Sequence, residues 1–248
     1  MSTGVTTTGT FVWHEQVSAD PKQAQAFYTK LYGWEAEVWK PGEFDYAMIS
    51  SGGGMHGGFA TAQEGAPPPH WLGHVHVASV DETVAKATSA GGRVAYGPMD
   101  MPEVGRFAII VDPQGAFLAA YEPAGEGPQH GGVFVWDELG TSDVEAAKRF
   151  YGEVFGWTTR DMGAEYGGYS TFQRGESDLG GVMALPDSSM PPQWVPYVFS
   201  DDVDATVAKA KELGGAVVVE PMDVPAVGRI AVLRDPQGAV FGLFKPGA

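Results

Sequence analysis

PMDMPEVGRFAIIVDPQGA at residues 98–116 returns as PMDVPAVGRIAVLRDPQGA at 221–239, and this recurrence decides how the chain is read. The offset is 123 residues, and it holds elsewhere. FVWHE (11–15) falls on FVWDE (134–138), and FYTKLYGW (27–34) falls on FYGEVFGW (150–157). A period this long describes a duplicated domain and not a solenoid of short repeats. The first domain reads as 1–123 and the second as 131–248, joined by a Gly-rich polar linker over 124–130.

Inside the quoted stretch, Asp112-Pro113-Gln114-Gly115 sets Asp, Pro and Gly at the preferred positions of a type I turn. The flanking apolar runs, near 105–111 and 116–122, therefore read as the strands of a hairpin. Upstream, a strand over 71–78 leads into a helix over 80–90 that ends at Gly91-Gly92, with another strand near 93–96. The first half of the repeat has the same plan. A strand over 11–16 precedes Asp20-Pro21, an N-cap followed by Pro at the first helical position. Ala24, Phe27, Tyr28 and Leu31 keep helical spacing up to Gly33, and strands follow near 34–40, 44–50 and 55–61. Each half is βαβββ, so the chain holds four such units and belongs to the α+β class.

Composition narrows the partners. The chain of 248 residues carries a formal charge of −16, with six basic against thirteen acidic residues up to position 123 and nine against eighteen beyond it. Neither half has a basic stretch, which argues against nucleic acid and anionic membrane surfaces. There is no cysteine, so disulfides, thiolate nucleophiles and Cys-based zinc sites are excluded. No apolar run approaches the roughly 20 residues of a membrane helix, and MSTGVTTTGT lacks the basic and apolar regions of a secretory signal. The expectation is a cytoplasmic protein, monomer or homodimer.

Tandem βαβββ pairs bearing these motifs resemble the vicinal oxygen chelate superfamily, which includes glyoxalase I, bleomycin resistance proteins and extradiol dioxygenases. The residues that carry the likeness are FVWHE with DPKQAQAFYTKLYGW, PPPHWLGHV with VDETVAKATSAGG, and GRFAIIVDPQGAFLAAYEP, each with its second copy. The nearest likeness is to a two-domain, glyoxalase-like subgroup of hydroxylase type. The resemblance implies a curved mixed sheet around a cavity in each domain. It also implies metal ligands on the first, fifth and eighth strands, usually His on the fifth and Glu on the eighth. Counting along the matching motifs puts the fifth-strand position at Leu72 and Val195, and the eighth-strand position at Ala119 and Gly242. None of these side chains binds a metal, so no cofactor is expected; a divalent ion held by His14, His74 and His76 is the alternative.

The side chains of WLGHVHVAS (71–79) alternate between two faces. Leu72, His74 and His76 point one way, while Trp71, Val75 and Val77 point toward the helices. His74 and His76 are the candidate catalytic groups, because an unperturbed imidazole titrates near working pH. Candidate ligand-binding residues are Trp13, His14, Glu15, Tyr46, His56, Tyr169, Tyr197 and Phe199. Five histidines of the first repeat (14, 56, 70, 74 and 76) become Asp137, Leu179, Gln193, Tyr197 and Phe199 in the second. The first repeat's site is accordingly expected to be polar and the second's more aromatic. Glu15 and Glu138 sit on otherwise apolar strands and need partners, for which Arg106 and Arg229 are the candidates.

SGGGMHGGF (51–59) lacks the G-K-[ST] ending of a phosphate loop, and no G-x-S-x-G elbow supports a hydrolase triad. Three readings follow. One is a glyoxalase-like or hydroxylase-type enzyme acting on a small carbonyl or aromatic metabolite without the usual metal site. Another is a bleomycin-resistance-like protein that sequesters a drug or toxic metabolite. The last is a metal-dependent dioxygenase or lyase with a displaced site.

Overall fold

The computed structural model describes residues 8–40, 46–125 and 132–247, so the linker expected at 124–130 lies mostly outside the described residues. The first repeat runs β1 (Phe11–Ser18), α1 (Pro21–Tyr32), β2 (Glu35–Trp39), β3 (Tyr46–Ser51) and β4 (Gly54–Thr61). It continues with β5 (His70–His76), α2 (Val80–Ser89), β6 (Arg93–Met101), β7 (Gly105–Val111) and β8 (Phe117–Pro123). The second repeat runs β9 (Phe134–Thr141), α3 (Val144–Phe155), β10 (Thr158–Asp161), β11 (Ser170–Arg174) and β12 (Ser177–Ala184). It closes with β13 (Gln193–Phe199), α4 (Val203–Glu212), β14 (Ala216–Val224), β15 (Gly228–Arg234) and β16 (Val240–Pro246). A single 3₁₀ turn at Ala164–Tyr166 is the one helical piece without a counterpart among the described residues of the first repeat.

Each repeat forms an eight-stranded mixed sheet, in the orders β2-β3-β4-β1-β5-β8-β7-β6 and β10-β11-β12-β9-β13-β16-β15-β14. The pairings β1 with β4 and β5 with β8 are parallel, and the hairpins β3–β4 and β7–β8 are antiparallel. The fold is α+β, as the pattern predicts.

Local signals hold where they are strong. The Asp20 side chain accepts from the Gln23 amide, Pro21 opens α1, and Gly33 closes it in the left-handed region at φ 72°. Ala24, Phe27, Tyr28 and Leu31 are its buried residues, as their spacing predicts. One strand outruns its prediction. β6 continues to Met101 through Pro98, with register shifts on either side of Tyr96. It lies at the edge of its sheet, where a residue lacking an N–H is tolerated.

Packing divides the chain into two compact units that cut across the repeats. One holds α2 and β6–β8 from the first repeat with α3 and β10–β12 from the second. The other holds α1 and β2–β4 with α4 and β14–β16. In the α1/α4 unit the core gathers Phe27, Tyr28, Leu31, Trp34 and Trp71 with Val207, Leu233 and Phe241. In the α2/α3 unit it gathers Val75, Val80, Ile110 and Leu118 with Phe150, Tyr151, Trp157 and Trp194. Every core therefore needs residues from both repeats.

A buried relay recurs in both units. In the α1/α4 unit Trp71 Nε1 donates to Tyr28 Oη at 2.9 Å, and that hydroxyl donates to Asp235 Oδ2 at 3.2 Å. In the α2/α3 unit Trp194 Nε1 donates to Tyr151 Oη at 2.9 Å, which donates to Asp112 Oδ2 at 3.0 Å. The other carboxylate oxygen of each Asp accepts three amides of its own turn. The DPQG aspartates thus shape a turn and anchor a helix of the other repeat at once.

Candidate functional site

On β5 the odd-numbered side chains face the cores. Trp71 binds Tyr28 on α1, and Val75 packs with the α2 cluster. Leu72, His74 and His76 consequently lie on the opposite face. In the α2/α3 unit His74 is 7% exposed and stands beside Ala119 on β8. His76 pairs with Tyr121, and the groove of about 210 Å³ that it lines with Ser79, Glu82, Lys86, Glu153 and Phe155 lies on the side of α2 and α3 and not on the sheet face that carries Leu72 and His74. Burial and the Arg174 guanidinium hold the His76 pKa below the ordinary histidine value, so this ring is neutral near pH 7. A larger depression of about 480 Å³, at the β14–β15 turn, is lined by Arg229 and Lys245 and by none of the candidate residues.

Each unit also carries a Glu–Tyr pair. In the α1/α4 unit Tyr46 Oη donates to Glu15 Oε1 at 2.7 Å. In the α2/α3 unit Tyr169 Oη donates to Glu138 Oε2 at 3.1 Å and accepts from Trp136 Nε1 at 2.9 Å. Burial, reinforced by the Glu138 charge, pushes the Tyr169 pKa up and keeps the phenol protonated. Gly58 and Gly181 lie directly beneath these hydroxyls; a Cβ at either position would collide with the tyrosine. The arginines expected to meet the carboxylates are engaged elsewhere. Arg106 binds Asp81 at 2.9 Å and Asp100 at 2.8 Å, and Arg229 binds Asp204 and Asp223. These aspartates flank the arginines on the helix N-terminal turn and the neighbouring edge strand. A strand-borne glutamate is instead served by a tyrosine that crosses from the next hairpin.

The remaining candidates divide by face. His14 is 2% exposed and stacks on Phe134 with centroids 4.1 Å apart, so its ring packs into the α1/α4 core. Glu15, its neighbour on the strand, points the other way. Trp13, within the α2/α3 unit, is half-buried. His56 donates through Nε2 to the Ser51 carbonyl at 3.0 Å and closes its own hairpin. In the second repeat the Tyr197 ring lies across Gly242, its partner on β16, and Phe199 at the strand end is 41% exposed.

The expected contrast between the copies is reversed on three strands. Asp178 gathers Arg160, Thr171 at 2.9 Å and Gln173 at 2.9 Å. The same positions in the first repeat hold Met55, Glu37, Met48 and Ser50. The second repeat is the aromatic one at Tyr197 and Phe199, yet the more polar one on β10–β12. In the sequence Trp136 is marked only as a residue shared by both copies, and Asp178 only as a charge that replaces Met55.

The donor set for the superfamily metal does not fit these residues. Leu72 and Ala119 are buried and apolar, Val195 offers no donor, and Gly242 lies under the Tyr197 ring. Among the described residues no three His, Asp or Glu side chains stand close enough together to share an ion.

Comparison with known proteins settles the relationship. The pattern of the Glyoxalase/Bleomycin resistance protein/Dioxygenase superfamily matches residues 10–119 and again 134–243. The chain belongs to this superfamily. It is similar to "Putative glyoxylase CFP32" of Mycobacterium tuberculosis, with 36% identity over 96% of this chain and 95% of that protein. It is also similar to the anthracycline biosynthesis protein DnrV of Streptomyces peucetius, with 32% identity over 96% and 93%. Among solved structures of the superfamily, the Mn(II)-bound glyoxalase of Novosphingobium aromaticivorans superposes with a TM-score of 0.67 at 17% identity, over 96% of this chain and 82% of that one. The 2,3-dioxygenase LapB of Pseudomonas sp. KL28 gives 0.64 at 14%, over 98% and 94%. At these identities the likeness to the two structures is one of fold. Among the described residues no helix is long and apolar enough to cross a membrane.

Proposed function

We propose that the protein is a glyoxalase-like enzyme of hydroxylase type, acting on a small carbonyl or aromatic metabolite without the usual superfamily metal site. One observation carries this reading: Leu72, Ala119, Val195 and Gly242 supply no donor atom, and the Tyr197 ring covers Gly242. His74 and His76 then provide the acid–base groups, and the neutral His76 is in the form that accepts a proton. Trp13 and Tyr169, which belong to the same unit as His74 and His76, would contact the ligand. The likeness to a protein of anthracycline biosynthesis supports a flat aromatic ligand, which such rings suit by stacking.

The test uses protein stripped with chelator and checked by elemental analysis. It is incubated with α-keto aldehydes and hydroxyanthraquinones, and products are read by mass spectrometry. Turnover by the metal-free protein supports the reading. Tight binding with the ligand recovered unchanged would favour a sequestering protein. Turnover that returns only with an added divalent ion would overturn the metal-free reading.

A further inference from the structure

Each core holds a group of oxidisable rings that the metabolite reading leaves unused. In the α1/α4 unit the Tyr28 ring centroid lies 5.1 Å from that of Trp71, 6.2 Å from Trp34 and 6.5 Å from Tyr32. Tyr32 in turn stacks on Trp34 at 4.6 Å. In the α2/α3 unit the Tyr151 ring lies 5.2 Å from Trp194 and 5.7 Å from Trp157, and the two indoles are 6.1 Å apart. Rings in such contact exchange an electron readily, so a hole made on one moves among its neighbours until a proton leaves. Removing an electron from a phenol turns its O–H into a strong acid, and a buried cation without a base is costly. The hydrogen bonds therefore decide which ring keeps the hole. Tyr28 Oη already donates to Asp235 Oδ2 at 3.2 Å, and Tyr151 Oη to Asp112 Oδ2 at 3.0 Å. Burial raises the pKa of both carboxyls, which makes each a readier proton acceptor. The neighbouring rings are served differently. Trp71 and Trp194 donate to the phenols, and Trp157 Nε1 donates to the Gly9 carbonyl at 2.8 Å. The buried Tyr32 Oη has no partner among the described residues.

We propose that Tyr28 and Tyr151 are redox-active tyrosines, each reducing its oxidised tryptophans and passing the phenol proton to its aspartate. The co-reactant is a one-electron oxidant in solution, of the high-valent metal-complex class. It takes one electron from an indole and is itself reduced by one electron. The indole radical cation recovers that electron from the phenol. The phenol O–H bond breaks and its proton goes to the aspartate Oδ2, leaving a neutral phenoxyl radical beside a neutral carboxyl. No buried charge is created in this step, and one is removed. The oxidising equivalent then rests in the core and not on the imidazoles of the sheet face. This activity is separate from turnover of a metabolite and does not depend on it.

The experiment illuminates the full chain with tris(bipyridine)ruthenium(II) and persulfate, freezes it, and reads the radical by electron paramagnetic resonance. The wild type is expected to give a tyrosyl signal. Tyr28→Phe and Tyr151→Phe should each lose part of it, and the double variant all of it, leaving a tryptophan radical. Asp112→Asn combined with Asp235→Asn should produce the same replacement with every phenol retained. Near-ultraviolet circular dichroism checks that each variant is folded. Tyr96, at 42% exposure, is the ordinary target of a dissolved oxidant. Tyr96→Phe, a surface change, should leave the signal intact. In D₂O the wild-type tyrosyl radical should form more slowly, because its formation moves a proton. The proposal is overturned if the wild type gives no tyrosyl radical or if Tyr96→Phe removes it. Equal rates in H₂O and D₂O, or a full signal in the folded Tyr28→Phe/Tyr151→Phe double variant, would overturn it as well.

Discussion

The Tyr28 hydroxyl donates to the Asp235 carboxylate at 3.2 Å, joining α1 of the first repeat to the β15–β16 turn of the second across 207 residues. Gln16 Nε2 adds a second donor to the same oxygen at 3.1 Å. Tyr151 and Asp112 make the equivalent bond in the other unit at 3.0 Å. Because each tyrosine also accepts from a tryptophan, removing one hydroxyl strands two buried groups.

Tyr28→Phe and Tyr151→Phe should each destabilise the chain by roughly 1–3 kcal/mol, the cost of an unmet buried polar group. For a chain of this size that corresponds to about 2–4 °C of melting temperature per kcal/mol. Differential scanning calorimetry of the two variants checks this. A melting point unchanged in both would mean that the relay adds nothing to stability.

The same carboxylates predict a pH dependence. Burial raises the Asp235 and Asp112 pKa values above the usual carboxylate range, against the pull of their amide and tyrosine donors. A carboxyl whose folded pKa is raised contributes stability that is fully present below its unfolded value and is lost as pH rises through the folded pKa. Asp235→Asn removes that titration. The stability gap between wild type and Asp235→Asn should therefore be larger near pH 4 than at pH 7. Urea melts at both values decide it, and a gap that widens toward neutral pH would reverse the sign assigned to burial.

Much of the fold is legible in the sequence because its signals are local. The Asp20 cap, the Gly33 stop and the 123-residue echo each rest on neighbouring residues or on identity. The alternation of β5 is equally plain. What cannot be read is which half packs on which. Both repeats carry the same Tyr, Trp and Asp, so the letters permit Tyr28 to meet Asp112 as readily as Asp235. The face of His14 is hidden for a different reason. Phe11 and Val12 are both buried, and alternation begins only at Trp13, so parity counted from the strand's start misleads. The partners of Glu15 and Glu138 are not legible because burial demands a donor without saying how far along the chain it lies; a phenol crossing from the next hairpin meets the need.

If His74 and His76 move protons, His74→Ala and His76→Ala should each lower turnover of the true substrate by about 10²–10⁴-fold, the usual contribution of a positioned acid or base. His74 is nearly enclosed beside Ala119, so its truncation leaves a void and needs a stability control. His76 is more open and gives the cleaner measurement. Steady-state kinetics over a pH series is the readout; unchanged kcat/KM in both variants would remove these residues from the mechanism.

Gly181 offers a test of the Glu–Tyr geometry that does not depend on a ligand. It faces Thr171 on β11 and Glu138 on β9, and the Tyr169 hydroxyl occupies the space that a side chain would fill. Gly181→Ala therefore forces the phenol aside and breaks its bonds to Trp136 and Glu138 together. Overpacking of this kind costs roughly 1–3 kcal/mol. In a Tyr169→Ala background the obstruction is gone, and the same substitution should be close to neutral. The coupling energy from the double-mutant cycle is then on the order of the single-mutant cost. Equal penalties in both backgrounds would show that the glycine serves the β11–β12–β9 backbone and not the approach of Tyr169 to Glu138.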